Sequence, residues 1–180
     1  MEFVDGLKTR RTIRRFLQKE VEVEKIEKVV EIARFAPTWK NSQTVRYVAI
    51  YDKDIKNRIA LEATLGFEHN KGIIIDSPLL VVELTLKGKS GYEKDGSFTT
   101  SKKTHWESFD AGIAAQTFCL ACHSEGLGAV IMGIFDEKIV KDILSLDEAY
   151  GVSCLLSVGY PNEEPIAPKR KEVEELLLIK

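Results

Sequence analysis

The chain has few cysteines, few prolines and no long apolar run. Among its 180 residues are three cysteines and five prolines, and in a reducing compartment so few cysteines are free thiols, not a disulfide framework. Its longest apolar stretches, 72–84 and 154–160, are broken by Asp, Ser, Pro or Gly, whereas a membrane span needs about 20 apolar residues. The first 16 residues lack the apolar core of a signal peptide. We therefore expect a cytoplasmic chain without a membrane partner.

The chain also lacks a strong net charge. Its formal charge is -2 and its pI is near 6.0, which gives no electrostatic reason to expect nucleic acid as a partner. Hydrophobic residues at 44% and charged residues at 30% are typical of globular proteins, and the length predicts one domain spanning 1–180. Basic residues are nevertheless concentrated in KTRRTIRR (8–15) and PKRK (168–171). Two local basic clusters on a slightly acidic chain indicate a small anionic ligand.

Hydrophobic periodicity predicts a mixture of helices and strands. Helical patterns cover four segments, 23–36, 53–66, 106–126 and 136–146, the last with Asp136 as its N-cap. Strand patterns cover four others, 44–52, 77–86, 129–135 and 152–161. Residues 87–104 are rich in Gly, Ser and Lys and predict a loop. Because strands and helices do not alternate strictly, the order favours an α+β fold around a central sheet.

The stretch CLACH (119–123) has the attachment pattern of a c-type haem. It lies within the apolar helical segment 106–126, where free cysteine behaves as a small hydrophobe. A zinc site would need further ligands, but Cys154, His69 and His105 have no partner at ligand spacing. We interpret Cys119 and Cys122 as packing residues and expect no metal.

Two polar stretches in the first third of the chain are candidates for binding. Segment 10–16, RRTIRRF, holds four guanidinium groups suited to phosphate. If it is helical, Arg10 and Arg14 share one face; the alternative is a solvated basic helix end. Segment 36–47, APTWKNSQTVRY, is rich in donors and acceptors. It can wrap the polar edge of a heterocycle, or it can be an ordinary helix-to-strand turn.

Two later stretches complete the set. Segment 126–137 has three glycines within eight residues, which allow backbone to approach a flat ligand; the alternative is a helix C-cap followed by a strand. It lacks the G-x-G-x-x-G fingerprint, so a Rossmann site is not supported. Segment 159–176 supplies Lys169, Arg170 and Lys171, with a solvated charge run as the alternative.

In this order the stretches resemble the nitroreductase family of flavin mononucleotide (FMN) enzymes. The matching pieces are RRTIRRF, APTWKNSQ, GLGAVIMGIFDE, SVGYP and PKRK. The resemblance implies an α+β, nitroreductase-like fold in which helices flank a central, mainly antiparallel sheet. It also implies an intertwined homodimer with FMN at the subunit interface.

Carried over by motif, the resemblance assigns three groups of FMN-binding residues. Those around the phosphate and ribityl chain would be Arg10, Arg11, Thr12, Arg14, Lys169 and Arg170. Those contributed by the partner subunit at the isoalloxazine edge would be Pro37, Thr38, Trp39 and Asn41. Those along the flavin ring would be Ile131, Met132 and Gly133, with Asn70 as a further flavin-contacting amide.

The implied activity is a ping-pong transfer of two electrons from NAD(P)H to a small nitro, quinone or related acceptor. The resemblance implies no catalytic side chain, because solvent can supply the proton. Trp39 and Lys40 stand where the family has small residues, and Thr44 and Val45 where it has Pro with an aromatic; these changes reshape the acceptor pocket. Reductive dehalogenation, enone reduction, flavin storage or sensing, and a purely structural dimer remain alternatives.

Overall fold

The protein is described here by a computed structural model covering residues 2–180. One sheet has the strand order β1-β2-β4-β3, and all its strand pairs are antiparallel. Its strands are β1 Val45–Ile50, β2 Leu79–Leu86, β3 Gly128–Met132 and β4 Tyr150–Gly159. The prediction of an α+β fold around an antiparallel sheet is confirmed.

Helices cover both faces of the sheet. Within residues 2–180 they are α1 Phe3–Thr9, α2 Val23–Ala33, α3 Lys53–Glu62, α4 Glu68–Asp76, α5 His105–Ser124, α6 Glu137–Leu144 and α7 Val173–Leu176. Apolar residues of α3, α4 and α6 pack against one face, and those of α2 and α5 against the other. Strand alternation divides each strand between these two cores, so that Leu155 faces the first and Leu156 the second.

Local sequence explains the start of α6 and the buried face of α2. The buried stripe of α2 consists of Ile26, Val29 and Ala33, which lie three or four residues apart, as one face of a helix requires. Asp136 caps α6 as predicted, because its carboxylate accepts a hydrogen bond from the backbone N–H of Ile139 at 3.1 Å. Helix α2 ends at Ala33, three residues earlier than the sequence predicts, and residues 34–36 form the turn that leads to Pro37.

The N-terminal basic segment is not helical, which contradicts the helical interpretation of residues 10–16. Helix α1 ends at Thr9, and the chain then runs along the sheet edge, where the N–H of Ile13 donates to the carbonyl of Ala129 at 3.1 Å. A Cβ on Gly128 would lie 2.5 Å from Cγ1 of Ile13, so glycine permits this close approach. Burial of Ile13 and Phe16 in the core stabilises the extended path over a helix.

Sequence patterns predict neither α1 nor α4. Helix α4 has no side-chain N-cap and carries the β-branched run Ile73–Ile75 just before β2, so its periodicity is weak. The predicted loop 87–104 contains no helix or strand, only an isolated bridge between Tyr92 and Phe98. Across residues 2–180 no helix is both long enough and apolar enough to cross a bilayer.

Candidate functional site

Residues from the two ends of the chain line one cavity. Lys8 and Arg11 from the N-terminal segment and Arg170 from the C-terminal segment border a space of about 310 Å³. The guanidinium of Arg11 donates to the carbonyls of Lys8 at 2.7 Å and Arg10 at 2.9 Å, which holds it beside the cavity. Because none of the lining residues is acidic, the cavity suits an anion.

A carboxylate holds the C-terminal segment beside the N-terminal one. Oε1 of Glu163 accepts hydrogen bonds from the backbone N–H groups of Arg14 at 2.5 Å and Arg15 at 3.1 Å. The N–H of Asn162 donates to the carbonyl of Arg15 at 3.0 Å. These contacts place residues 166–171 next to the basic segment, while the side chain of Arg14 itself is exposed.

Arg10 lies against the C-terminal half of α5 with an unsatisfied donor. Its Nε is buried and has no hydrogen-bond partner, although a buried unpaired donor costs about 1–3 kcal/mol. Beside it, Nε2 of His123 lies 2.9 Å from the hydroxyl of Thr9. Burial and the charges of Arg10 and Arg11 lower the pKa of His123. Arg10 does not itself line the basic cavity, but its free donor and the neighbouring cationic groups suit an anionic group with acceptor oxygens, such as a phosphate.

His123 was not predicted as part of this cluster. The motif CLACH contains this histidine, but in that pattern it is a candidate ligand for haem or zinc. Helical spacing alone places His123 on the less buried side of α5. Only the return of α1 across this helix brings it to the arginines.

The three C-terminal cations differ in their surroundings. Arg170 lines the basic cavity. Lys171 pairs with Glu175 at 3.9 Å, and Lys169 is exposed. Thr12 forms a parallel bridge with Ala129 at the edge of β3.

The segment 37–43 is an irregular turn at the N-terminal half of α5. The backbone N–H of Trp39 donates to Asp110 at 2.9 Å, and the Trp39 ring lies 4.7 Å from that of Trp106. Lys40, Asn41 and Gln43 have φ of 46°, 53° and 47°, a left-handed cluster that stores strain. Such strain is concentrated at functional sites.

The remaining predicted residues of this segment are accessible. Pro37 and Asn41 are exposed, and the hydroxyl of Thr38 accepts a hydrogen bond from the N–H of Gln43 at 2.9 Å. Thr38 and Gln43 also line a cavity of about 330 Å³ that lies beside Ala114 of α5. None of these residues lines the basic cavity of their own chain.

Ile131 and its neighbours lie at the end of β3. Ile131 is 46% exposed on the α5 side of the sheet and lines a cavity of about 430 Å³. Met132 is buried in the opposite core, so only its backbone is available on the Ile131 side. A Cβ on Gly133 would meet nothing within 4 Å, which leaves space beside the backbone there. Asn70 is buried on α4. It lines neither the cavity beside Ile131, nor the one beside Thr38, nor the basic cavity, nor a fourth one beside Lys56.

The cavity beside Ile131 contains a second functional candidate that sequence reasoning missed. Glu83 of β2 lines it, is fully buried, and has two carboxylate oxygens without hydrogen-bond partners. Burial raises the pKa of Glu83 to about 8. The available signal was a single carboxylate within the apolar run LLVVELTL.

Comparisons with known proteins agree on one family. The sequence model of the nitroreductase family matches residues 7–72 and 68–160. A Thermus thermophilus protein named NADH dehydrogenase is 26% identical over 192 residues, covering 94% of this chain and 91% of that one.

Two solved structures share the fold. A nitroreductase family protein from Streptococcus pneumoniae superposes with a TM-score of 0.86 at 20% identity, covering 99% of this chain and 100% of that one. An FMN-dependent nitroreductase from Clostridium difficile superposes with a TM-score of 0.75 at 27% identity, covering 93% and 92%. The chain has the nitroreductase fold and belongs to the nitroreductase family.

Proposed function

We propose that the protein is an FMN-dependent oxidoreductase that passes two electrons from NAD(P)H to a small nitro, quinone or related acceptor. The observation that carries the proposal is the shared cavity of Lys8, Arg11 and Arg170, in which cations from both ends of the chain meet. Family membership supports a flavin, and a cationic cavity supports a phosphorylated flavin such as FMN over riboflavin. The similar FMN-dependent enzyme from C. difficile agrees with this choice.

In this proposal the chain's own residues bind and orient the cofactor. Arg11 and Arg170 pair with the phosphate, and the free Nε–H of Arg10 donates to one of its oxygens. Thr12, Arg14 and Lys169 complete this end of the site. The backbone of Ile131–Gly133 borders the ring, Asn70 contributes an amide, and the N–H groups of this backbone favour negative charge. When bound, FMN supplies the two-electron chemistry.

The proposal includes a homodimer, because one chain does not complete the site. Pro37, Thr38, Trp39 and Asn41 do not line the basic cavity of their own chain, so a second copy supplies them. Exposed apolar side chains support such an interface: Phe109 on α5 is 56% exposed, and Ile166 in the C-terminal segment is 94% exposed. Monomers rarely leave so much apolar surface uncovered.

The acceptor would meet an aromatic wall. Trp39, Trp106 and Phe109 form a chain of contacts with ring centroids 4.7 and 5.3 Å apart. Flat aromatic acceptors stack favourably on such rings. Lys40 adds little charge, because it pairs with Glu93 at 3.3 Å. The wall therefore favours neutral aromatic acceptors over strongly anionic ones.

Anaerobic spectroscopy of the purified protein tests the proposal. We expect a yellow protein that NADH or NADPH bleaches and that a nitroarene or quinone restores to yellow. A halogenated phenol and an enone, added in parallel, distinguish the dehalogenase and enone reductase alternatives. Bleaching without restoration by any acceptor would indicate storage or sensing. A colourless protein that takes up no added FMN would refute the proposal.

A further inference from the structure

Glu83 occupies an unusual position for a carboxylic acid. It lies in the centre of the sheet, opposite Tyr47 of β1 and Cys154 of β4. Its exposed fraction is 0%, and within residues 2–180 neither carboxylate oxygen has a hydrogen-bond partner. Burying an unpaired charge is far more costly than burying a neutral acid. The carboxyl group is therefore held in its neutral form at neutral pH, with a proton to give.

Among the titratable side chains that face one another here, Glu83 is the one whose pKa lies near neutral pH. The thiols of Cys119 and Cys154 and the phenol of Tyr47 face it, and burial raises the pKa of each of them above its usual value. Buried Cys122 shows the same direction of shift. The charged side chains that line the cavity together with Glu83 are Lys87, Glu107 and Glu137, and the charge of Arg10 acts on Cys119. Oε1 of Glu107 and Oε1 of Glu137 accept hydrogen bonds from backbone N–H groups.

Glu83 and Ile131 border the same cavity. Both residues line the same space of about 430 Å³, which has room for several water molecules at about 30 Å³ each. Strand spacing and register put their Cα atoms roughly 12 Å apart, since two strand steps and two residues separate them. The hydroxyls of Thr85 and Ser153, 2.7 Å apart, also line this cavity, on the side of Glu83 away from Ile131. Water in the cavity can pass a proton over the distance to Ile131.

We propose that Glu83 is the proton store of the reaction site, from which a proton moves through this cavity to the acceptor being reduced. The inference rests on the proposed function. Reducing a quinone to a hydroquinone consumes two electrons and two protons. Oxidation of NAD(P)H supplies both electrons and one proton. The second proton comes from Glu83: its O–H bond breaks, an O–H bond forms on the acceptor, and solvent later reprotonates the carboxylate.

Steady-state kinetics of the flavin-loaded dimer test this role. With a quinone acceptor, we expect wild-type kcat to fall as pH rises through about 8. In Glu83→Gln this limb disappears, and kcat at pH 7 falls at least tenfold. We expect a smaller loss than the roughly 100-fold rate contribution of a general acid in direct contact with the substrate, because solvent can also supply the proton in the variant. KM and flavin content should not change. Glu62→Gln, at an exposed carboxylate of α3, is the matched control.

A second readout does not depend on turnover. Difference infrared spectra of wild type against Glu83→Gln should contain a protonated carboxyl band that disappears as pH rises through about 8. Glu83→Met, of similar volume, replaces Glu83→Gln if the amide impairs folding. A band already absent at pH 6, or turnover whose pH profile is the same in the variant, would overturn the inference and leave the proposed function intact. Absence of flavin binding would overturn both.

Discussion

At the scale of single residues, charge and burial separate groups that look alike in the sequence. Arg10, Arg11 and Arg14 belong to one basic run. Nε of Arg10 is buried without a partner, Arg11 lines the basic cavity, and the side chain of Arg14 is exposed. Arginines of the same motif should therefore contribute differently to the free energy of FMN binding, and substitutions can measure the difference.

Arg11→Gln should weaken FMN binding about 10- to 100-fold, because it removes a charge-assisted contact worth roughly 1.5–3 kcal/mol. Arg14→Ala should weaken binding less, since its side chain is exposed. Fluorescence titration of the apoprotein with FMN measures both affinities. Arg58→Gln on α3, which removes a cation paired with Glu62 at 3.1 Å, is the control. Equal affinities in all three variants would contradict the phosphate assignment.

The pKa of Glu83 also predicts how stability depends on pH. The pKa rises from 4.5 to about 8 on folding, so between these values the folded chain holds a proton that the unfolded chain has lost. The free energy of unfolding should fall as pH rises through this range, by an amount on the order of 5 kcal/mol. Denaturant titrations at several pH values measure it. The same slope in Glu83→Met would show that other groups cause it.

At the scale of elements, helix α5 has two roles. Its buried side packs in one hydrophobic core of the sheet, and its two halves border the proposed site residues. Its buried side carries Phe118, Cys119 and Cys122, and its exposed side carries Phe109 and Gly112. The N-terminal half meets Trp39, and the C-terminal half meets the arginine cluster. One apolar helix thus fixes the relative positions of two groups of proposed site residues.

The double variant Cys119→Ala, Cys122→Ala should keep its flavin and lose about 1 kcal/mol of stability per residue, as for other small deletions in a core. Both cysteines are buried, and burial raises the pKa of Cys119 to about 11, so neither is a reactive thiolate. Flavin absorbance and thermal unfolding measure the outcome. Loss of a red chromophore would instead establish the haem pattern in CLACH.

At the scale of the whole molecule, we propose that two copies of the chain share the site. The cationic cavity and the turn 37–43 lie in different parts of one chain. Apolar residues of the C-terminal segment have nothing beneath them: Leu178 is 84% exposed and Ile179 is 87% exposed. An interface between copies would cover these side chains and bring the two halves of the site together.

Mixed dimers distinguish this arrangement from a site within one chain. Arg11→Glu disables the cationic half and Asn41→Ala the turn, so neither homodimer should bind FMN well. Co-expressed chains carrying one substitution each should regain one intact site per heterodimer, measured as bound flavin per dimer. As a control, a chain carrying both substitutions is paired with wild type; that heterodimer has a defect in each site. Equal flavin content in the two heterodimers would contradict a shared site.

The sequence by itself determined the four strands, the helices α2, α3, α5 and α6, and the Asp136 cap of α6. These depend on local periodicity and on short-range hydrogen bonds such as that of Asp136. The sequence also predicted the family, because the family's motifs occur in a fixed order along the chain. A single charged residue within an apolar strand was the sequence's one indication that Glu83 is buried.

Only the tertiary structure decided the path of residues 10–16 and the meeting of Arg11 with Arg170. Local pattern allows a helix at 10–16, but burial of Ile13 and Phe16 and pairing with β3 stabilise the extended form. The same holds for Glu83, whose pKa follows from the absence of any partner within the assembled sheet. Contacts between distant segments determine these features, and no local pattern encodes them.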